Sequence, residues 1–224
     1  MHSEFEDGHP LSSTTEAAIN GHRRPGCEIP VPLCIDGRRY VVGLELNFQE
    51  HVRRQRAGLG AVTSTGLLHA LWEFPYGISF PARSFEDMDR ATLMGATPGW
   101  VERRGDDFLR LYQPVGAVRS ITVSDTSLAR AVTKAASHSP TVRRTAVWRT
   151  STTSESPKTL ATLMRAKVLG IGVLIHNEKC KVELVAPADA TRGRPVVYRW
   201  WQAELAYRNW VSSREPTEST AALV

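Results

Sequence analysis

The stretch VRSITVSDTSLARAVTKAASH, residues 118–138, constrains the fold of this chain most, because it runs from a strand directly into a helix. β-Branched residues in its first half favour a strand. The alanine-rich second half, which starts after Thr126, favours a helix. A further strand-like run, RRTAVWRT at 143–150, follows this helix. Strand, helix and strand in this order predict an α/β or α+β protein with a mixed sheet flanked by helices.

The rest of the chain carries further strand and helix signals. Asp36-Gly37, between two apolar runs, predicts a β-hairpin near the N-terminus. Ser84 and Asp87 form a capping-box pattern and predict that a helix begins after Ser84. The remaining predicted elements are helices at 48–58, 64–74, 158–170 and 198–210, strands at 100–104, 107–115 and 117–124, and a hairpin made of 170–177 and 180–187.

Composition divides the chain into a folded middle and two polar ends. Residues 1–26 predict a disordered arm and residues 212–224 a flexible tail, since both lack an apolar period. Between them we expect an N-terminal hairpin and helical segment at 27–78 and an α/β core at 79–211. No apolar run approaches the roughly 20 residues of a membrane helix. The sequence therefore predicts no membrane partner and a cytoplasmic location.

The charge of the chain favours a nucleic-acid partner. The formal net charge is +5, and only five of the 28 basic residues are lysine. Arginine binds phosphates and base edges well because its guanidinium donors form a planar fork. The candidate nucleic-acid contacts are the short clusters Arg53, Arg54 and Arg56, Arg103 and Arg104, and Arg143 and Arg144.

The three cysteines predict neither a disulfide framework nor a metal site. Cys27 and Cys34 are seven residues apart, and Cys180 has only His176 near it in sequence. Structural zinc sites need closely spaced pairs of such ligands. We therefore expect no bound metal and no cofactor.

Residues 84–150, read as helix, three strands, helix and strand, resemble the core of the PD-(D/E)xK nuclease-like superfamily. The resemblance extends to the hairpin that ends near residue 186, and it rests on the alanine-rich helix after the third strand and on the later strand GIGVLI. It covers about half of the chain and concerns the layout of elements. It implies a nuclease-like fold. Whether such a fold is catalytic depends on the acids that bind its metal ion.

In this superfamily, an acid on the second strand and an acid and a lysine on the third strand form the metal site, and a helical acid can add a ligand. Asp107 matches the acid of the second strand, with Asp106 as the alternative one residue earlier, and Glu86 matches the helical acid. The acid and lysine of the third strand fall on Thr122 and Ser124, or on Val123 and Asp125 in the shifted register. A hydroxyl is a poor replacement for an anionic metal ligand. The resemblance thus implies a degenerate catalytic motif and a non-catalytic, regulatory nucleic-acid-binding protein.

Three other interpretations remain open at the level of sequence. A metal-dependent nuclease with a migrated acid would use Glu86, Asp106 or Asp107, with Glu102 or Asp125, and would need Mg²⁺. Residues 64–113 permit a winged helix whose recognition helix, SFEDMDRATLMG, is acidic. Six tryptophans and the aromatic last helix suit an assembly subunit of a larger complex or viral particle, or a homo-oligomer.

Overall fold

The computed structural model describes residues 28–35, 37–150, 156–176, 181–189 and 197–214. Within them, six helices flank a six-stranded mixed sheet and a three-stranded sheet, which confirms the predicted α/β class. None of these described helices is both long and apolar enough to cross a membrane. The predicted arm at 1–26 and nearly all of the predicted tail at 212–224 lie outside the described residues.

Apart from the short strand Ser79–Pro81, which was not predicted, the strands and helices follow the predicted order. The strands are β1 (Ile29–Ile35), β2 (Arg38–Leu46), β3 (Ser79–Pro81), β4 (Val101–Arg104), β5 (Asp107–Arg110), β6 (Gly116–Asp125), β7 (Arg143–Arg149), β8 (Ile171–His176) and β9 (Lys181–Val185). The helices are α1 (Phe48–Arg56), α2 (Thr65–Trp72), α3 (Asp87–Met94), α4 (Leu128–Ala136), α5 (Pro157–Val168) and α6 (Val197–Ser212). The larger sheet has the order β1–β2–β6–β7–β8–β9, and the smaller one β3–β5–β4.

Local signals explain most of these boundaries, and one prediction was wrong. Gly37 follows β1 with a φ of 69°, which a hairpin turn at this point requires. The helix predicted to begin after Ser84 begins at Asp87, and no side chain caps it. Ser84 instead ends a short 3-10 turn, Ala82–Ser84. The capping-box pattern failed because this turn already holds the backbone of Ser84.

The chain forms two compact units. The α/β unit contains residues 28–30 and the described part of 120–189, and the helix–hairpin unit contains 31–119 and 197–214. The predicted boundary after residue 78 falls inside the helix–hairpin unit, where residues 79–119 and 31–78 belong together.

In the α/β unit, β6, β7 and β8 are parallel and β9 is an antiparallel edge strand. Asp125, Trp148, Ile175 and Val182 are paired in register across the four strands. Directly paired residues point to the same face. Because Lys134 of α4 binds Asp125, this row marks the face of the sheet that the helices cover.

The helix–hairpin unit is built around one apolar cluster with a buried arginine at its border. The cluster includes residues of α2, α3 and the three-stranded sheet, such as Leu68, Leu93 and Phe108. Arg54 of α1 is fully buried. Its guanidinium forms a two-point ion pair with Glu204 of α6 at 2.7 and 2.8 Å. Burial alone would lower the pKa of Arg54, but the hydrogen bonds and charges of Glu204 and Glu50 raise it above its usual value.

Every N–H of the Arg54 guanidinium has an acceptor. Besides Glu204, these are a Glu50 carboxylate oxygen and the carbonyls of Gly60 and Gln113. Glu204 in turn accepts hydrogen bonds from the backbone N–H of Val62 and from the hydroxyl of Tyr112. One ion pair therefore fixes α1, α6, the loop before α2 and the segment after β5 together.

Two other buried arginines bind backbone carbonyls that follow helices. Arg110 donates to the carbonyls of Leu71 and Phe74 at the end of α2, at 2.8 and 2.7 Å. Arg144 donates to the carbonyls of His138, after α4, and Leu169, after α5. The last carbonyls of a helix lack partners within the helix and carry its negative dipole end. Arginine satisfies both needs at once.

We expect single substitutions of the Arg54–Glu204 pair to cost about 3–5 kcal/mol of the free energy of unfolding, because each leaves one buried charge without its partner. Arg54→Met together with Glu204→Leu should cost less than the sum of the two single changes. Urea unfolding followed by circular dichroism measures this coupling.

The exposed pair of Arg119 and Glu45 is the control, and Glu45→Gln should change the free energy of unfolding far less. Equal effects of Glu204→Gln and Glu45→Gln would contradict the assigned role of the buried pair.

Candidate anion-binding edge

The acids predicted from the nuclease-like resemblance do not lie on neighbouring strands. Asp107 is on β5, which pairs with β3 and β4, whereas Thr122 is on β6, which pairs with β2 and β7. Asp107 accepts a hydrogen bond from Ser79, and Glu86 directly precedes α3. Asp106 is exposed in the turn between β4 and β5. The described residues contain no group of three or more His, Cys, Asp or Glu side chains that could hold a metal ion.

Thr122 and Ser124 point away from the helices, on the face opposite Asp125, because side chains alternate along β6. Thr122 is paired in register with Thr145, and Ser124 with Val147. The buried Ser124 hydroxyl has no hydrogen-bond partner in the described structure. The two positions thus form part of a sheet face, and their partners in register on β7 are neither acids nor lysines.

The predicted arginine clusters divide into buried and exposed members. Arg54 and Arg144, two of the predicted nucleic-acid contacts, are buried and bound to internal acceptors. Arg53 binds Glu50, and Arg143 binds the buried carboxylate of Glu28 at 2.9 Å. The exposed members are Arg56, Arg103 and Arg104, of which Arg104 pairs with Glu102.

Positive charge is concentrated in one segment of the sequence. Between Thr126 and His176 there are eight basic residues and one acid, Glu155, a net charge of +7. The whole chain has a net charge of +5, so the remaining residues together carry −2. This segment supplies α4, β7, α5 and β8 of the α/β unit. One part of the fold therefore accounts for the basic character of the chain.

The carboxyl ends of β6 and β7 bring several of these cations to one edge of the sheet. Asp125 ends β6, and its carboxylate binds Lys134 at 2.9 Å and Arg130 at 3.2 Å. The carboxylate is buried, whereas the Arg130 and Lys134 side chains are partly exposed. One acid thus orients two cations at this edge, with an excess of positive charge.

The same edge contains Arg149 and the beginnings of two helices. Arg149 ends β7 and is exposed. Because α4 and α5 follow β6 and β7, both begin at this edge, with Ser127 and Ser156 as their capping residues. Lys158 lies exposed in the first turn of α5. Helix beginnings offer N–H groups and positive dipole ends to anions. Ligands of parallel sheets bind outside the carboxyl ends of the strands.

Arg130, Lys134, Arg149 and Lys158, here called the basic edge, were not among the residues predicted from the sequence. They are single basic residues spread over 29 positions, whereas the prediction searched for adjacent pairs. The strand–helix–strand pattern places Arg149 at a strand end and Arg130 and Lys158 in first helix turns, whereas Lys134 is in the last turn of α4 and reaches this edge by binding Asp125. The signal that could have found them is the lack of acids between Thr126 and His176.

Comparison of the chain with protein-family models, with curated proteins and with solved structures finds no match.

The ion pairs of Asp125 predict a pH-dependent stability. Burial would raise the pKa of this carboxyl, but the hydrogen bonds from Lys134 and the Ser127 N–H, with the charges of Lys134 and Arg130, lower it to about 2. The folded pKa lies below the unfolded value, so the stabilisation is present above about pH 4 and is lost as the pH falls towards 2. At pH 7 it amounts to at most about 2 kcal/mol.

Asp125→Asn tests this expectation. The difference in the free energy of unfolding between the wild type and this variant, measured with urea at pH 7, 5 and 3, should shrink as the pH falls. A difference that stays constant from pH 7 to pH 3 would show that the charge of Asp125 does not stabilise the fold.

Proposed function

We propose that the protein binds nucleic acid without cleaving it, and that the basic edge of the α/β unit contacts the phosphates. The observation that carries this proposal is the segregation of charge, a net +7 between Thr126 and His176 in a chain whose other residues carry −2. Backbone phosphates dominate the affinity of proteins for nucleic acid, and cations release their counterions. Such an excess of positive charge in one segment favours a polyanion over a small neutral ligand.

The arrangement of the basic edge supports phosphate contact. The exposed guanidinium of Arg149 is at the end of a central strand, with Arg130 and Lys134 at the end of the next strand. Asp125 limits the directions in which Arg130 and Lys134 extend, which lowers the entropy lost when they bind. Two helix beginnings add backbone donors nearby. Phosphate contacts of this kind give affinity and position without sequence specificity.

The non-catalytic part of the proposal rests on the residues of β6. Where the nuclease-like layout has an acid and a lysine, this chain has Thr122 and Ser124, and the two oxygens of Asp125 are occupied by Lys134 and Arg130. A carboxylate in two ion pairs is poorly available as a ligand for Mg²⁺.

Removing two cations of the basic edge should weaken binding and its salt dependence. For Arg130→Gln/Arg149→Gln we expect a loss of at least about tenfold in affinity at low salt. The slope of log K against log salt should fall by about 1.8 for a duplex or about 1.4 for a single strand. Fluorescence anisotropy of labelled duplex and single-stranded oligonucleotides over a salt series measures both quantities.

The matched control is Arg56→Gln/Arg103→Gln, which removes the same charge from exposed positions of the helix–hairpin unit and should change both quantities much less. The proposal fails if the wild type binds neither oligonucleotide at low salt, or if both double variants lose affinity equally. Chelator-sensitive cleavage of a plasmid in Mg²⁺ or Mn²⁺ that Asp107→Ala abolishes would contradict its non-catalytic part.

A further inference from the structure

Helix α5 carries an apolar stripe that faces solvent. Leu160, Met164 and Val168 recur every four residues and are 61%, 63% and 85% exposed. Such residues share one side of a helix, and this spacing normally marks the side that is buried. The only fully buried side chain of α5 is Ala166. The stripe therefore lacks the cover that its pattern calls for.

The sheet beside α5 lacks cover as well. β9 forms the edge of the sheet, and Val182 points to the helix-covered face because it is paired with Ile175. Val182 is nevertheless 44% exposed. In the described part of the α/β unit, α4 and α5 cover this face and no further helix follows them over β9. A partner helix lying on the stripe would cover the exposed side of α5.

The charges around the stripe indicate which kind of helix could bind to it. Lys158, Arg165 and Lys167 are exposed on α5, and neither α4 nor α5 contains an acid. Two copies of α5 packed against each other would bring these cations together, which is unfavourable. The complementary surface is a helix with exposed apolar residues and acidic neighbours.

This chain contains such a helix in its other unit. α3 exposes Met88 and Met94, at 81% and 59%, and Ala91 lies between them. Glu86 precedes it and Asp87, which binds Arg90, is in its first turn, and both are exposed, whereas Asp89 is half-buried and lies 3.8 Å from His69 of α2. In the winged-helix interpretation, α3 would be the recognition helix, with β4 and β5 as the wing. Its acids repel phosphates, so an acidic helix with exposed methionines suits a protein partner instead.

A hollow beside α3 provides a place for an apolar side chain. It has a volume of about 310 Å³ and is lined mainly by apolar groups, among them Leu93, Met94, Val101 and Phe108. It lies at the C-terminal end of α3, about 10 Å along the helix from the acids of the first turn. On α5, Leu160 and the cations Arg165 and Lys167 are separated by a similar distance of about 9 Å.

We propose that the protein associates with further copies of itself head to tail, with α3 of one molecule lying antiparallel on the α5 stripe of the next. Leu160 or Met164 enters the hollow at the end of α3, and the exposed acids Glu86 and Asp87 face Arg165 and Lys167. Each molecule offers one of each surface, so the contact is heterologous and extends into a ring or an open chain. This proposal is independent of nucleic-acid binding.

Sedimentation of two variants and of their mixture tests the contact. The wild type at low salt should form species that grow with concentration, and added salt should weaken them. Leu160→Ser/Met164→Ser removes the stripe and Met88→Ser/Met94→Ser changes α3, and each variant alone should stay monomeric. Their equimolar mixture should form a dimer and nothing larger, because one intact α3 and one intact α5 remain in it.

A control variant at other exposed apolar residues tests whether the effect is specific to α3 and α5. Phe48→Ser/Ile78→Ser removes two other exposed apolar side chains and should leave association unchanged. If circular dichroism shows that the α5 variant is unfolded, Arg165→Glu/Lys167→Glu replaces it with the same expectation. A monomeric wild type at every soluble concentration, association that survives either variant, or a mixture that stays monomeric would overturn the proposal.

The same variants separate this proposal from nucleic-acid binding. The α5 double variant keeps all four cations of the basic edge, so its monomer should bind an oligonucleotide as tightly as the wild-type monomer does. Conversely, Arg130→Gln/Arg149→Gln should still self-associate. Loss of both properties in both variants would show that the two surfaces are not distinct.

Discussion

The ion pair between Arg54 and Glu204 is the interaction on which the helix–hairpin unit depends. It joins residues that are 150 positions apart in the sequence, and both side chains are fully buried. Such a pair adds little net stability over apolar residues of the same shape, because both charges lose their water. Its value is that only one arrangement of α1 and α6 satisfies the donors of Arg54 and the acceptors of Glu204.

The high arginine content has two separate physical causes. Arg54, Arg110 and Arg144 are internal and bind carboxylates or the carbonyls at helix ends, where a planar fork of donors reaches several acceptors at once. The exposed cations of the α/β unit, in contrast, face solvent with few acids near them. Composition alone attributes both groups to a nucleic-acid partner. Burial separates them, and only the exposed group is available to a ligand.

The sequence predicted those features that depend on neighbours in the chain. The hairpin at Gly37, the helix that starts after Thr126 and the pairing of β8 with β9 follow from turn residues, helix-forming residues and apolar runs, and the structure confirms them. Contacts between distant residues could not be predicted in this way. The main partner of Arg54 is Glu204, 150 residues away, and the sequence near Arg54 does not reveal it.

The candidate site shows the same limit. Asp125 was named in the sequence only as a shifted substitute for a catalytic acid, whereas its neighbours in space are Lys134 and Arg130. Asp107 does not lie on a strand next to Thr122, because β5 pairs with β3 and β4 and not with β6. A pattern of strands and helices does not state which strands pair, and the positions of metal-binding acids depend on that pairing.

Arginine modification by phenylglyoxal, read by mass spectrometry with and without an oligonucleotide, tests the central claim most directly. The account predicts that Arg54, Arg110 and Arg144 stay unmodified in the folded protein. It also predicts that Arg130 and Arg149 react quickly and are protected by the oligonucleotide, while Arg56 reacts equally with and without it. Rapid modification of the three buried arginines, or protection confined to Arg56 and its neighbours, would contradict the account.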